Sequence, residues 1–125
     1  MEVGEKLVVS TRDKWRGWLA KHQYDTKEIW LVIRRKAAQN GLISVAEAQE
    51  EAICFGWVDS FLKPLDSEGY ALRFSPRRRN STWGRTNKAR ALKMLREGKM
   101  TPSGMVTLPE DVLYQWESEN TSQIP

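Results

Sequence analysis

Ile29-Trp30-Leu31-Val32-Ile33 is a run of five apolar residues bounded by Glu28 and Arg34. It is too short for a helix and is rich in β-branched and aromatic residues, so it predicts a strand buried on both faces. Such a strand needs cover on either side, and 125 residues give room for one domain. The run is therefore expected at the heart of a small sheet covered by helices.

Helices are legible around it. Thr11 suits an N-cap, and Trp15, Trp18, Leu19 and His22 fall at helical spacing behind it. Ser44 and Glu47 form a capping box, each side chain taking a backbone N–H that the first turn leaves orphaned. The helix they open aligns Val45, Ala48, Ala52 and Phe55, and Gly56 supplies the residue after its end. A helix over 86–97 presents Ala91, Leu92, Met94 and Leu95 on one side and Arg90, Lys93 and Arg96 on the other, closing at Gly98. Pro109, Glu110 and Asp111 favour the start of a last short helix, whose stripe is Val112, Leu113 and Trp116.

Two strands complete the pattern. Residues 57–65 read as one, with Pro64 pointing to an edge or a strand end. Residues 70–75 alternate, Tyr70, Leu72 and Phe74 against Ala71, Arg73 and Ser75. The turn 66–69 joins them, and pairing Leu65 with Tyr70 would set Phe61 opposite Phe74, Ser60 opposite Ser75 and Asp59 opposite Pro76. Asn40-Gly41 and Pro102-Ser103-Gly104 are further turn signals. The expected class is α+β: an antiparallel sheet of about three strands packed with about four helices. Residues 1–10 are expected to extend from a domain of 11–117, with 118–125 a frayed tail.

Composition excludes several classes. With 40% hydrophobic and 29% charged residues, and no apolar run approaching the length of a membrane span, the chain has a globular mix. Six Trp, three Tyr and three Phe are too much aromatic surface for wholesale disorder, and one Cys excludes a disulfide framework. The first residues carry Glu2 and Glu5 and a three-residue apolar run, Leu7-Val8-Val9, which is no secretory signal. A cytoplasmic setting with a reduced cysteine is the expectation.

The net charge of +4 conceals a division. Residues 73–99 hold ten cations against one acid, Glu97, a charge of +9 in 27 residues; the remaining 98 carry −5. Such a block suggests an anionic ligand, an acidic partner or nucleic acid. The competing reading is a solvated face neutralised by the acidic body.

Familiar chemistries are poorly supported. One His and one Cys cannot build a zinc cluster, so no metal or cofactor is implied. His22 shares the Trp15 and Trp18 stripe and reads as a boundary residue; Cys54, at a helix C-terminus, reads as a small buried hydrophobe. There is no phosphate-cradling glycine loop and no nucleophile elbow. Glu47, Glu50 and Glu51 are expected on the solvent side of their helix. What remains is a polar constellation beside aromatics: Asp59, Ser60, Arg73, Arg77, Arg78, Ser81, Trp83 and Asn87. An Asp59–Arg77 pair across the strand ends would leave a second arginine for an anion, and Asn87 near a helix start would add backbone donors.

These stretches resemble the YdeI/OmpD-associated family of small proteins, also called bacteriocin-protection proteins. The resemblance rests on Trp15-Arg16-Gly17-Trp18-Leu19, residues 29–33, residues 47–59 ending Phe55-Gly56-Trp57-Val58-Asp59, Arg73-Phe74-Ser75-Pro76-Arg77, Ser81-Thr82-Trp83, Asn87 and residues 100–104. It departs at Gly84, where the family often has Ser, in the extra Arg79, and in lacking the helical C-terminal segment of longer members. The resemblance implies stress or antimicrobial-peptide tolerance, and no established activity, cofactor or catalytic set.

Three functional readings follow. The first is a non-enzymatic binding domain that holds an anionic ligand or partner on residues 73–99. The second is a nucleic-acid module in which Trp83 stacks on a base while Arg90, Lys93 and Arg96 meet phosphates. The third is an enzyme with Asp59 as general acid or base beside Arg73 or Arg77.

Overall fold

The central strand is where the apolar run places it. In a computed structural model, which describes residues 2–34, 43–67 and 69–121, the run lies in a strand spanning Ile29–Arg34. In chain order the elements are β1 (Lys6–Leu7), α1 (Arg12–His22), β2 (Ile29–Arg34), α2 (Val45–Cys54), β3 (Trp57–Asp66), β4 (Gly69–Pro76), α3 (Arg85–Arg96), α4 (Pro102–Met105) and α5 (Glu110–Thr121). The domain is α+β: a four-strand mixed sheet of order β1-β2-β4-β3 with five helices. The sheet is mixed because β1 runs parallel to β2, Lys6 opposite Trp30 and Leu7 opposite Leu31. Lys6 and Leu7, within the stretch expected to extend from the domain, thus form an edge strand, and Leu7 and Val9 pack against the core. At the other end α5 stays helical to Thr121, past the point where fraying was expected. The Asn40-Gly41 turn signal lies outside the described residues.

The core lies between one face of the sheet and two helices. Ile29, Leu31 and Ile33 of β2 and Leu72 and Phe74 of β4 meet Trp15 and Leu19 of α1 and Ala48 and Ala52 of α2. Trp15 is fully buried and its indole Nε1 donates to the Ala48 carbonyl at 3.0 Å, so the largest core side chain leaves no orphan donor. On the opposite face of β2, Trp30 is also fully buried, with Gly4 against its ring. A second cluster of Ile53, Ala91, Leu95, Leu108 and Val112 joins α2, α3 and α5, with Trp83, Met105 and Trp116 packed on it.

The hairpin register differs from the sequence expectation. Asp59 stands opposite Phe74 and Trp57 opposite Pro76, while Ser60 and Phe61 together face the single residue Arg73. This bulge, and a second at Leu65, let the strands continue until Asp66 pairs with Gly69. Residues 102–104, expected as a turn, form the helical turn α4, capped by the Thr101 hydroxyl, which accepts from the Gly104 amide.

The acids of α2 depart furthest from expectation. Glu47 closes its capping box with Ser44, but Glu51 is fully buried and Glu50 nearly so. Arg16 and Lys99 reach Glu51 at 2.9 and 2.7 Å, and Arg12 also bonds to it. Arg12 and Lys93 hold Glu50 at 2.8 and 2.6 Å. Burial alone would raise both carboxyls, but the hydrogen bonds from these cations outweigh it and hold both below the usual 4.5. These acids therefore clasp α1, α2 and the end of α3 together rather than facing solvent.

A candidate anion-binding groove

The end of α2 positions the groove. Gly56 sits at φ +74°, so the chain can turn from α2 into β3 there without the strain a side chain would bring. The Cys54 carbonyl accepts from the Thr101 amide at 3.1 Å and from its hydroxyl, which draws α4 against the helix end. Gly104 approaches so closely that an added Cβ would meet the Cys54 carbonyl. This contact brings 106–109 beside the loop that follows β4.

That loop is the basic one. Arg77 to Ser81, with Trp83, forms one wall of a groove of about 480 Å³, and Val106, Thr107, Leu108 and Pro109 form the other. The Arg77 amide donates to the Gly56 carbonyl at 2.8 Å, which fixes the start of the loop. Its guanidinium lies over the Trp83 ring, 3.9 Å from the centroid, and Nη1 donates to the Ser81 hydroxyl at 3.0 Å and to the Thr82 carbonyl at 3.3 Å. Nη2 is buried without a hydrogen-bond partner among the described residues. Burial pushes the Arg77 guanidinium below its ordinary value, and Asp59 opposes this only from a distance. A second groove, of about 460 Å³, adjoins the first across Arg77, Val106 and Thr107 and is lined further by Tyr24, Phe55, Trp57 and Pro102.

The residues singled out in the sequence separate into three places. Arg77, Arg78, Ser81 and Trp83 come together in the first groove. Arg73 lies instead with Glu28, at 2.8 Å, and with the Ser60 and Ser75 hydroxyls at 3.0 and 3.3 Å. Asp59 accepts from Gln49 at 3.2 Å; it forms no ion pair with Arg77 and lines neither groove. The expected pairing fails because the two bulges together move Asp59 two positions away from Pro76. Asn87 lies in the first turn of α3, where its side chain accepts from Arg90 at 3.1 Å.

The basic segment is partly neutralised. Arg73, Lys88, Lys93, Arg96 and Lys99 are paired with Glu28, Asp111, Glu50, Glu119 and Glu51 respectively. Two of the three cations expected to meet phosphates, Lys93 and Arg96, are thus held by acids. Arg77, Arg78, Arg79, Arg85 and Arg90 form no ion pair among the described residues. Three of these five lie in the loop and two, Arg85 and Arg90, on α3, whose N-cap, Gly84, offers no side-chain bond to the helix amides. Sequence reasoning missed the groove's second wall, since Val106 to Pro109 carry no charge, and it missed the Glu50–Glu51 clasp. Arg12 and Arg16, four residues apart on one face of α1, were the available sign of that clasp.

Cys54 is fully buried and its thiol is pushed up by that burial, and His22 bonds to Asp25 at 3.1 Å on a partly exposed edge. No group of three or more His, Cys, Asp and Glu that could hold a metal ion occurs among the described residues, and no helix among them is long and apolar enough to cross a membrane.

Fold and groove together define a small α+β domain with an arginine-lined cleft. The chain belongs to the family described as a domain of unknown function (DUF8412), whose pattern matches residues 7–107. The matched stretch runs from β1 to the Val106–Thr107 wall of the groove and stops before α5. No curated protein and no solved structure matches the chain at a significant level.

Proposed function

We propose that the protein is a non-enzymatic binding domain that captures an anionic partner in the groove formed by Arg77, Arg78, Arg79, Ser81 and Trp83. The observation that carries this reading is the distribution of acids. Five cations of the basic segment have carboxylate partners, whereas those of the groove have none among the described residues. Arginines left unpaired side by side repel one another, and an incoming anion relieves that repulsion. The buried Nη2 of Arg77 has no acceptor among the described residues, so the guanidinium at the groove wall keeps an unmet hydrogen-bonding demand.

The resemblance to YdeI/OmpD-associated proteins supports the location. Phe55, Gly56, Trp57, Pro76, Arg77, Ser81, Trp83, Pro102 and Ser103, all from the stretches that carry it, line the two grooves. It suggests a role in stress or antimicrobial-peptide tolerance, in a cytoplasmic setting where Cys54 stays reduced.

The test is a titration with inorganic pyrophosphate at low ionic strength, read by tryptophan emission, because Arg77 rests on Trp83. Arg78→Ala combined with Arg79→Ala should weaken binding at least about tenfold and flatten its dependence on salt. An unchanged affinity and salt profile in that variant would contradict the proposal.

A further inference from the structure

The second groove bears on what the partner is. It shares Arg77, Val106 and Thr107 with the arginine groove, so the two form one path that changes character along its length: arginines at one end, Tyr24, Phe55, Trp57 and Pro102 at the other. Tyr24 and Val106 are each 85% exposed. Large apolar side chains this open beside uncompensated arginines are the composition of a protein-recognition surface, where aromatic residues and Arg dominate the binding energy.

We infer that the joined grooves bind an extended acidic peptide segment, with its carboxylates on Arg77, Arg78 and Arg79 and an adjoining apolar side chain against Tyr24, Val106 and Pro102. This inference rests on the anion-binding reading and goes further by assigning the partner's class. The second groove is the more open of the two, and neither is a fully enclosed cavity. A small organic anion gains most of its affinity from enclosure, whereas a chain segment crosses from one groove to the next and draws on both. Nucleic acid fits less well. One face of Trp83 is already covered by Arg77, and on α3 Lys88, Lys93 and Arg96 are held by Asp111, Glu50 and Glu119, so that helix adds just Arg85 and Arg90 without an acid among the described residues, a short row for a phosphate backbone.

The experiment measures fluorescence anisotropy of labelled peptides on the full chain at low salt. One peptide joins three Glu to a Trp-Leu pair, in both sequence orders; a second carries the three Glu with Gly-Gly in place of Trp-Leu. The joined peptide should bind at least about tenfold more tightly than the acidic one in one of the orders. Tyr24→Ala should remove that advantage while leaving the acidic peptide's affinity unchanged, and the exposure of Tyr24 makes the variant safe for folding. Arg78→Ala with Arg79→Ala should weaken both peptides. Equal binding of the two peptides overturns the inference and leaves anion capture standing. Failure of both peptides and of pyrophosphate overturns both readings. Displacement of the joined peptide by single-stranded RNA at matched charge and lower concentration also overturns the inference.

Discussion

The Arg77 guanidinium covers the Trp83 ring at 3.9 Å. Trp83 itself packs on the cluster of Ile53, Ala91, Leu95, Leu108 and Val112. One indole therefore fixes the basic loop to the junction of α2, α3 and α5, so the arginines are presented from a packed base rather than from a free loop. Trp83→Ala should cost about 2–4 kcal/mol in urea unfolding, the lower part of the range for a large core aromatic because the ring is only half buried. Trp83→Phe should recover much of the loss. A midpoint unchanged in Trp83→Ala would show that the ring anchors nothing.

The Glu51 carboxylate should govern acid stability. Its folded pKa lies below the usual 4.5, as does that of Glu50. A group depressed in this way contributes stability that is complete above its unfolded value and is lost as pH falls through the folded one. The wild-type chain should therefore keep its stability down to about pH 5 and lose it progressively below about 4.5. Glu51→Gln should lower stability at neutral pH by about 3 kcal/mol and shrink the acid-induced loss. The value sits at the low end for a broken buried pair because Arg12, Arg16 and Lys99 each keep a quarter or more of their side chains in solvent. Thermal unfolding of both proteins between pH 3 and 7 checks this; identical pH slopes would contradict it.

Two glycines should respond in opposite directions to the same change. A Cβ at Gly17, within α1, meets nothing within 4 Å, so Gly17→Ala should stabilise the protein by about 0.5–1 kcal/mol. At Gly104 the added carbon would press on the Cys54 carbonyl and lie 2.5 Å from Met100 Sδ. Gly104→Ala should therefore destabilise by about 2 kcal/mol or more, since the backbone contact cannot move without lifting α4 from α2. Denaturant midpoints of the two variants are the measurement.

Much of the architecture was written locally, and the failures share a cause. The Thr11 cap, the Ser44–Glu47 box and Gly56 and Gly98 at helix ends are decisions made within a few residues, and the structure has each of them. β1 escaped notice because two residues, Lys6 and Leu7, acquire strand character only from pairing with Trp30 and Leu31. Glu50 and Glu51 look solvated by periodicity, yet their cations arrive from 35 or more positions away in the chain. The hairpin register turned on two bulges that no alternation pattern announces. In the groove, the arginines and Trp83 were legible as chemistry. Their separation from Asp59 and Arg73 depended on that register, and so on tertiary structure.

Arg78 and Arg79 should contribute nothing to folding. They are exposed and form no ion pair among the described residues. Arg78→Ala with Arg79→Ala should keep stability within about 0.5 kcal/mol of wild type, as surface changes away from structural features usually do. Lys99→Ala, which removes a partner of the buried Glu51, should cost more than the double variant. Equal losses in the two would mean that the loop arginines are structural.

The central claim, that the unpaired arginines of the loop form the binding surface, is tested most directly by two-dimensional NMR during titration with pyrophosphate at low salt. The account predicts shifts confined to the amides of residues 77–83 and 106–108 and to the Trp83 indole. Shifts centred instead on Arg90, Lys93 and Arg96, or an unperturbed spectrum at saturating pyrophosphate, would contradict it.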